Sequence, residues 1–331
     1  MKSLATIIFC FFALILTAQS PFGHTANAEV MESDPVYLAK QTAKIKAGLS
    51  RNFHTDAGQE IVKTGGTQLW VQFADGTGEA MLLDFAQYGY TSLGHPVWSA
   101  DGTQIAVSAK IGLNKADLIV LNADGSNARV LANFVQTWAV WMDLEDLSWR
   151  MDGQEIAGVL QVRENAWTDN GMFLFQHNLN TGETSYYTDY YCDGVSHAPN
   201  SSRLAYSLNT SLLDKNEVQV WNYADNTYET WEEDIRLEYG SHRRYSLISL
   251  TWSTESSILI TIQLIDVFAA DVYTYHVFRV EKIGENQFQT KFLFNTGAAR
   301  PHLTSSPDGT TIYTSVVQNN KINMYQVYLQ P

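Results

Sequence analysis

Apolar and polar residues alternate along this chain in short runs. In Gln104-Ile-Ala-Val-Ser-Ala109 the positions Ile105, Val107 and Ala109 share one face, the period-2 pattern of a half-buried strand. Asp-Gly steps divide such runs and supply the positive φ angles that a tight reverse turn needs. Each step between two alternating runs therefore predicts a β-hairpin.

The pattern repeats along the chain. His95-Pro-Val-Trp-Ser-Ala-Asp101-Gly-Thr-Gln-Ile returns as Leu147-Ser-Trp-Arg-Met-Asp152-Gly-Gln-Glu-Ile and as Ser196-His-Ala-Pro-Asn200-Ser-Ser-Arg-Leu. Later copies are Leu250-Thr-Trp-Ser-Thr-Glu255-Ser-Ser-Ile and Ser305-Ser-Pro-Asp308-Gly-Thr-Thr-Ile, and a degraded one, Phe53-His-Thr-Asp56, precedes them all. The acid or amide of each copy stands at 56, 101, 152, 200, 255 and 308, at intervals of 45, 51, 48, 55 and 53 residues. A second phrase falls between copies, as in Leu69-Trp-Val-Gln-Phe-Ala-Asp75-Gly and Leu118-Ile-Val-Leu-Asn-Ala-Asp124-Gly.

Two hairpins per roughly 50 residues make a four-stranded blade, and six blades make a propeller. The expectation is an all-β chain, a six-bladed β-propeller of four-stranded antiparallel blades over residues 50–331. The last blade lacks its outermost strand, and Val36-Tyr-Leu-Ala39, within the N-terminal segment 29–49, is expected to supply it. That pairing would remove an exposed sheet edge.

Residues 1–28 read as a secretory leader: Lys2, then a 15-residue apolar stretch from Leu4 to Ala18, then Ala26-Asn27-Ala28 as the cleavage site. The stretch is shorter than the roughly 20 residues needed to span a bilayer. An exported chain, periplasmic or secreted and without a transmembrane anchor after cleavage, is expected. Of the two cysteines, Cys10 lies in the leader, so Cys192 is left without a disulfide partner. The charge balance of 21 basic against 35 acidic residues, a net of −14, repels phosphate backbones and argues against nucleic acid as a partner.

The phrases Trp98-Ser-Ala-Asp101-Gly and Leu121-Asn-Ala-Asp124-Gly-Ser resemble the propeller repeats of the TolB family of exported bacterial proteins. The resemblance covers about residues 50–331 and implies the propeller alone. Fewer than 30 residues separate the expected cleavage site from the first repeat, too few for the α/β domain that TolB carries before its propeller. These residues build turns and cores, so they imply a repeat type rather than an activity.

Alternation of strands sorts the loops onto two faces of the disc. The Asp-Gly turns share one face, and longer segments at 84–95, 132–146, 187–194 and 232–249 share the other. These long segments carry Trp138, Tyr187, Tyr190, Tyr191 and Tyr239, the expected ligand-binding face for a protein or glycan. Tyr90 and Trp141 are expected to fold back and cap the blades.

Six residues before each repeat acid the chain enters its innermost strand, at Ser50, His95, Asp146, Gly194, Ser249 and His302. His95, His302 and Asp146 would then face one central funnel, a set able to hold a divalent metal or to bind a polar ligand. The alternative is that both imidazoles bond neighbouring loop backbone. His54, His177, His197 and His276 fall on other repeat positions and are expected to be structural.

No Gly-x-Ser-x-Gly elbow, His-Glu-x-x-His, phosphate loop or Cys-x-x-Cys is present in the sequence. The leading expectation is an exported, non-catalytic binding module with no required cofactor. The alternative is a metal-dependent enzyme like the polysaccharide lyases known on similar six-bladed propellers. A third reading is a platform within a cell-envelope complex.

Overall fold

A computed structural model describes residues 60–73, 80–94, 96–136, 139–163, 171–187, 192–199, 201–210, 215–231, 243–266, 273–285, 287–297, 301–305, 311–318 and 321–328. Apart from one short 3-10 turn at Phe85–Tyr88, the regular elements among them are strands, gathered into six antiparallel sheets.

The first sheet holds β1 (Glu60–Gly65), β2 (Gln68–Phe73) and β3 (Ala80–Asp84). In the second, β4 (Ser92–Leu93) and β5 (Val97–Trp98) both pair with β6 (Gln104–Lys110), followed by β7 (Lys115–Asn122) and β8 (Arg129–Val135). The third is β9 (Trp141–Trp149), β10 (Glu155–Arg163), β11 (Gly171–Asn178) and β12 (Thr184–Tyr187). The fourth is β13 (Val195–His197), β14 (Arg203–Thr210), β15 (Lys215–Asn222) and β16 (Thr227–Trp231).

The fifth sheet has the longest strands, β17 (Arg243–Thr254), β18 (Ser257–Asp266), β19 (Tyr273–Gly284) and β20 (Gln287–Gly297). The sixth holds β21 (Pro301–Ser305), β22 (Thr311–Gln318) and β23 (Lys321–Tyr328). Strand order follows chain order in each, as a propeller requires. The first repeat copy and the expected closing strand 36–39 lie outside the described residues, as does the leader.

The repeat acids make the turns. Asp101 accepts from the Thr103 backbone N–H at 3.0 Å, Asp124 from Ser126 at 2.8 Å and Asp152 from Gln154 at 2.9 Å. A carboxylate that bonds the backbone two residues on mimics one arm of a turn. Gly102 follows Asp101 with φ of 66°, which a residue with a Cβ adopts at a cost.

The core lies between sheets. Leu69, Leu83, Phe85 and Tyr90 pack on Ile105, Val107 and Ile119 between the first and second sheets. Leu118, Val120, Leu144, Trp149 and Phe175 fill the space between the second and third. Val159, Leu174, Cys192, Leu204 and Tyr206 join the third to the fourth, and Val220, Trp231, Trp252, Ile260 and Phe278 join the fourth to the fifth.

A blade between two neighbours has two buried faces. This corrects the half-buried reading of β6: Ala106 and Ser108, on the face opposite Ile105 and Val107, are buried as well. Ser108 is tolerated there because its hydroxyl donates to the Leu144 carbonyl of the next blade at 2.8 Å.

Gly194 sets the approach of two inner strands. A Cβ at that position would lie 2.9 Å from the Leu250 nitrogen and 2.9 Å from the Ser249 Cα. Only a residue without a side chain fits there.

Candidate functional site

Two of the expected positions at the innermost strand meet: Gly194 lies against Ser249. Asp146 stands in β9 as a β-bulge, since Glu145 pairs with Val159 and Leu147 pairs with Gly158, leaving Asp146 between them. Its φ is 34°, uncommon for a residue with a side chain. His95 lies outside the described residues. The backbone of His302 is in β21 opposite Ser315, and its side chain lies outside the description. Among the described residues no three His, Cys, Asp or Glu side chains gather in the manner of a metal site.

Of the expected binding aromatics, Trp138, Tyr190, Tyr191 and Tyr239 lie outside the described residues. Segment 132–146 is shorter as a loop than expected, because β8 continues to Val135 and β9 begins at Trp141. Tyr90 is buried and donates to Asp117 at 2.7 Å, as its capping role requires. Trp141 is half-buried, with the Lys110 ammonium 4.1 Å and the Arg163 guanidinium 4.8 Å from its ring centre. Lys110 also pairs with Asp143 at 3.3 Å. This group ties the second blade to the third.

A polar cluster bridges the third and fourth blades. Ser148 Oγ accepts from the His197 backbone N–H at 2.7 Å and lies 3.1 Å from its Nδ1. His197 Nε2 lies 3.3 Å from Glu155 Oε1 and 3.0 Å from the Tyr223 hydroxyl. Tyr223 donates to Glu155 at 3.1 Å and accepts from Gln176 at 2.7 Å. Arg150 pairs with Glu155 at 3.3 Å and with Asp152 at 2.6 Å.

Serine, imidazole and carboxylate stand here in the order of a nucleophile triad. Burial decides the role: the His197 side chain is 2% exposed, which leaves no room for a substrate at the hydroxyl. Burial also lowers the His197 pKa, Glu155 opposing it. A neutral ring with Nε2–H toward Glu155 and Nδ1 accepting from Ser148 satisfies every partner.

The same bond recurs one blade on. The Trp252 backbone N–H donates to Ser196 Oγ at 3.2 Å, and its indole N–H to the Ser196 carbonyl at 2.9 Å. Arg203 pairs with Glu255 at 2.6 Å and lies over the Trp252 ring. The cluster is thus a repeated inter-blade fastening. The signal was in the sequence: His197 occupies the repeat position held by Trp98, Trp149 and Trp252. His177 is likewise structural, bonded to Thr184 at 2.9 Å and pushed down to about 4 by burial.

Three aromatic residues that are at least partly exposed, Tyr187, Trp221 and Tyr228, lie between the same two blades. Trp221 and Tyr228 are cross-strand partners on β15 and β16, with ring planes 6° apart and centroids 5.8 Å apart. Tyr187 leaves the third blade to meet Trp221 at 5.4 Å, with planes at 56°. Tyr228 is 56% exposed and Tyr187 36%. Trp221 is held by its indole N–H to Asn226 at 3.0 Å and by Tyr223 at 4.5 Å, edge to face.

Tyr187 was expected from the long segments, whereas Trp221 and Tyr228 flank a short turn and carried no sequence signal. Their pairing depends on the register of β15 against β16.

No protein-family model and no curated protein sequence matches this chain. Solved structures share its fold. TolB from Acinetobacter baumannii aligns with a TM-score of 0.57 at 14% identity, over 83% of this chain and 62% of that one. A structure assigned to TolB from Agrobacterium tumefaciens aligns with a TM-score of 0.54 at 15% identity, over 83% and 87%. The fold is a TolB-like β-propeller. This chain spans less than two thirds of the Acinetobacter protein, and likeness at such identity establishes architecture only.

Proposed function

We propose that this chain is an exported, non-catalytic recognition module that binds a protein or glycan ligand through exposed aromatic rings. One observation carries the reading: Tyr187, Trp221 and Tyr228 form a partly exposed cluster held on strands rather than on a mobile loop. Rigid aromatics lose little conformational entropy on binding and dominate the energetics of contact surfaces. The described imidazole–serine–carboxylate group beside them serves the fold and is shut off from solvent. The long-segment face with Trp138, Tyr190, Tyr191 and Tyr239 extends the same reading. Export rests on the leader at 1–28 and on nothing in the described residues, where no helix is long and apolar enough to cross a membrane.

The test is a titration of the purified chain with defined oligosaccharides and with purified envelope proteins, with products followed by chromatography. Saturable binding without a new product is the expected result. Turnover of any polysaccharide would overturn it. So would a stoichiometric metal lost in a His95→Ala/His302→Ala variant, which would favour the enzyme reading with Asp146 as a further ligand.

A further inference from the structure

We infer that two copies of this chain associate edge to edge through β20, the last strand of the fifth blade, about a two-fold axis at Thr290. The surface is separate from the aromatic cluster of the third and fourth blades, so the inference stands apart from the recognition reading.

The rim of a propeller is made of the last strands of its blades, each with one backbone edge turned outward. Here β20 differs from the last strands of the first four sheets. It has 11 residues, against 5 in β3, 7 in β8, 4 in β12 and 5 in β16. Gln289, Thr290, Lys291 and Phe292 are exposed in succession, on both faces of the strand, whereas those four strands have at most two exposed residues in a row. Among the described residues the ladder of β20 runs to β19 alone. Short strands, prolines and charges usually blunt such an edge. The 11 residues of β20 hold no proline and a single charge, Lys291.

The sequence of the edge fits a second copy of itself. Phe288-Gln289-Thr290-Lys291-Phe292 pairs without a break with Lys282 to Phe278, and the ladder is irregular at both ends of this run. These residues read nearly the same in both directions. An antiparallel copy centred on Thr290 sets Phe288 opposite the partner's Phe292, Gln289 opposite the partner's Lys291 and Thr290 opposite the partner's Thr290. Aromatic pairs and threonine pairs across a ladder are favourable, and no like charges stand face to face.

The two faces agree with this register. Phe288, Thr290 and Phe292 share one face, where Phe288 stands 5.2 Å from Trp231 and Phe292, 43% exposed, stands 5.5 Å from Phe278. The two-fold carries this aromatic strip across the join. On the other face Arg279 and Lys291 form a row that continues into the partner's Gln289 and the partner's Glu281. Glu281 is 40% exposed beside Arg279 of its own chain. Each Lys291 therefore gains a carboxylate of the other copy about 10 Å along the row, two strand spacings away and within reach of its long side chain. A short edge lies at the small end of specific interfaces, so a reversible dimer with a Kd of about 1–100 μM is expected.

The experiment is sedimentation velocity of the purified chain from about 1 to 500 μM, with hydrogen exchange at residues 288–292. The mass should rise from one chain to two with concentration, and these amides should gain protection as it does. Thr290→Glu and Thr290→Lys each set like charges opposite one another on the axis and should weaken association about tenfold or more. Thr290 is exposed, so the melting temperatures should be unchanged. Mixing the two variants sets opposite charges on the axis and should restore the dimer. The inference falls if the chain is monomeric throughout, if larger assemblies form, if Thr290→Glu dimerises like the parent, or if the mixture associates no better than either variant. Protection of 288–292 at every concentration would place a segment of the same chain on the edge. Binding of a purified envelope protein that is lost in Thr290→Glu, without dimers, would give the edge to that protein. Either result overturns the second copy.

Discussion

Ser148 on the third blade and His197 on the fourth are joined twice. The serine oxygen accepts the His197 backbone N–H at 2.7 Å and stands 3.1 Å from the imidazole Nδ1. Both groups are buried, so each bond replaces water that neither can reach. Ser196 and Trp252 repeat the backbone half of this arrangement at 3.2 Å. Neighbouring blades are thus fastened by hydrogen bonds as well as by apolar packing.

Removing the fastening should be costly. Ser148→Ala leaves a buried backbone N–H and a ring nitrogen without a partner, an expected loss of about 1–3 kcal/mol in urea denaturation. Ser148→Thr, which keeps the hydroxyl, should recover part of it. Equal stability of Ser148→Ala and the parent chain would show that the blades are held by packing alone.

His177 makes stability depend on pH. Burial lowers its pKa from 6.5 to about 4, with Arg129 adding to the effect. The unfolded chain therefore takes up a proton at a higher pH than the folded one. Nothing is lost above pH 6.5, and stability falls as pH drops from 6.5 towards 4. At about 1.4 kcal/mol per unit the full effect is on the order of 3 kcal/mol. Urea melts at pH 7 and pH 4.5 for the parent and His177→Gln should show a steeper decline in the parent. Parallel declines would contradict the assignment.

Gly194→Ala tests the contact between inner strands. Its Cβ would stand 2.9 Å from two backbone atoms of the next blade, which cannot rotate away. An expected loss of about 1–3 kcal/mol follows from overpacking. Gly66→Ala offers a comparison in which a Cβ meets nothing within 4 Å, so its cost comes from a φ of 62° alone. The thermal midpoints of the two variants separate crowding from backbone strain.

Ring closure gives a fourth prediction. If Val36-Tyr-Leu-Ala39 completes the last blade, deleting residues 29–45 should lower the melting temperature by several degrees, as loss of about 1–2 kcal/mol does in a domain of this size. An unchanged midpoint would sink that pairing.

Much of the architecture was legible. Asp101, Asp124 and Asp152 act within two residues of themselves, so their turns could be read from the chain. The tryptophans at repeat positions were legible for the same reason, as Trp149 and Trp252 are buried where the repeat places them. Burial of β6 on both faces was not, because Ser108 and Lys110 read as polar until the Leu144 carbonyl and Asp143 of the next blade are known. Tyr187 was flagged as a binding residue, but its neighbours Trp221 and Tyr228 were not, since a ring beside a short turn has no distinguishing spacing.

The repeat, the hairpins and the six-bladed expectation came from the sequence alone, because turn chemistry and strand alternation act over a few residues. Only the tertiary structure decided what lies between the blades. His197 meets Ser148 across 49 positions and Tyr223 meets Glu155 across 68, separations at which no local pattern operates. A buried imidazole and an exposed ring look alike in a sequence. Their difference is set by what the neighbouring blade covers: among the described residues His197 is buried against the third blade, whereas Tyr228 is 56% exposed.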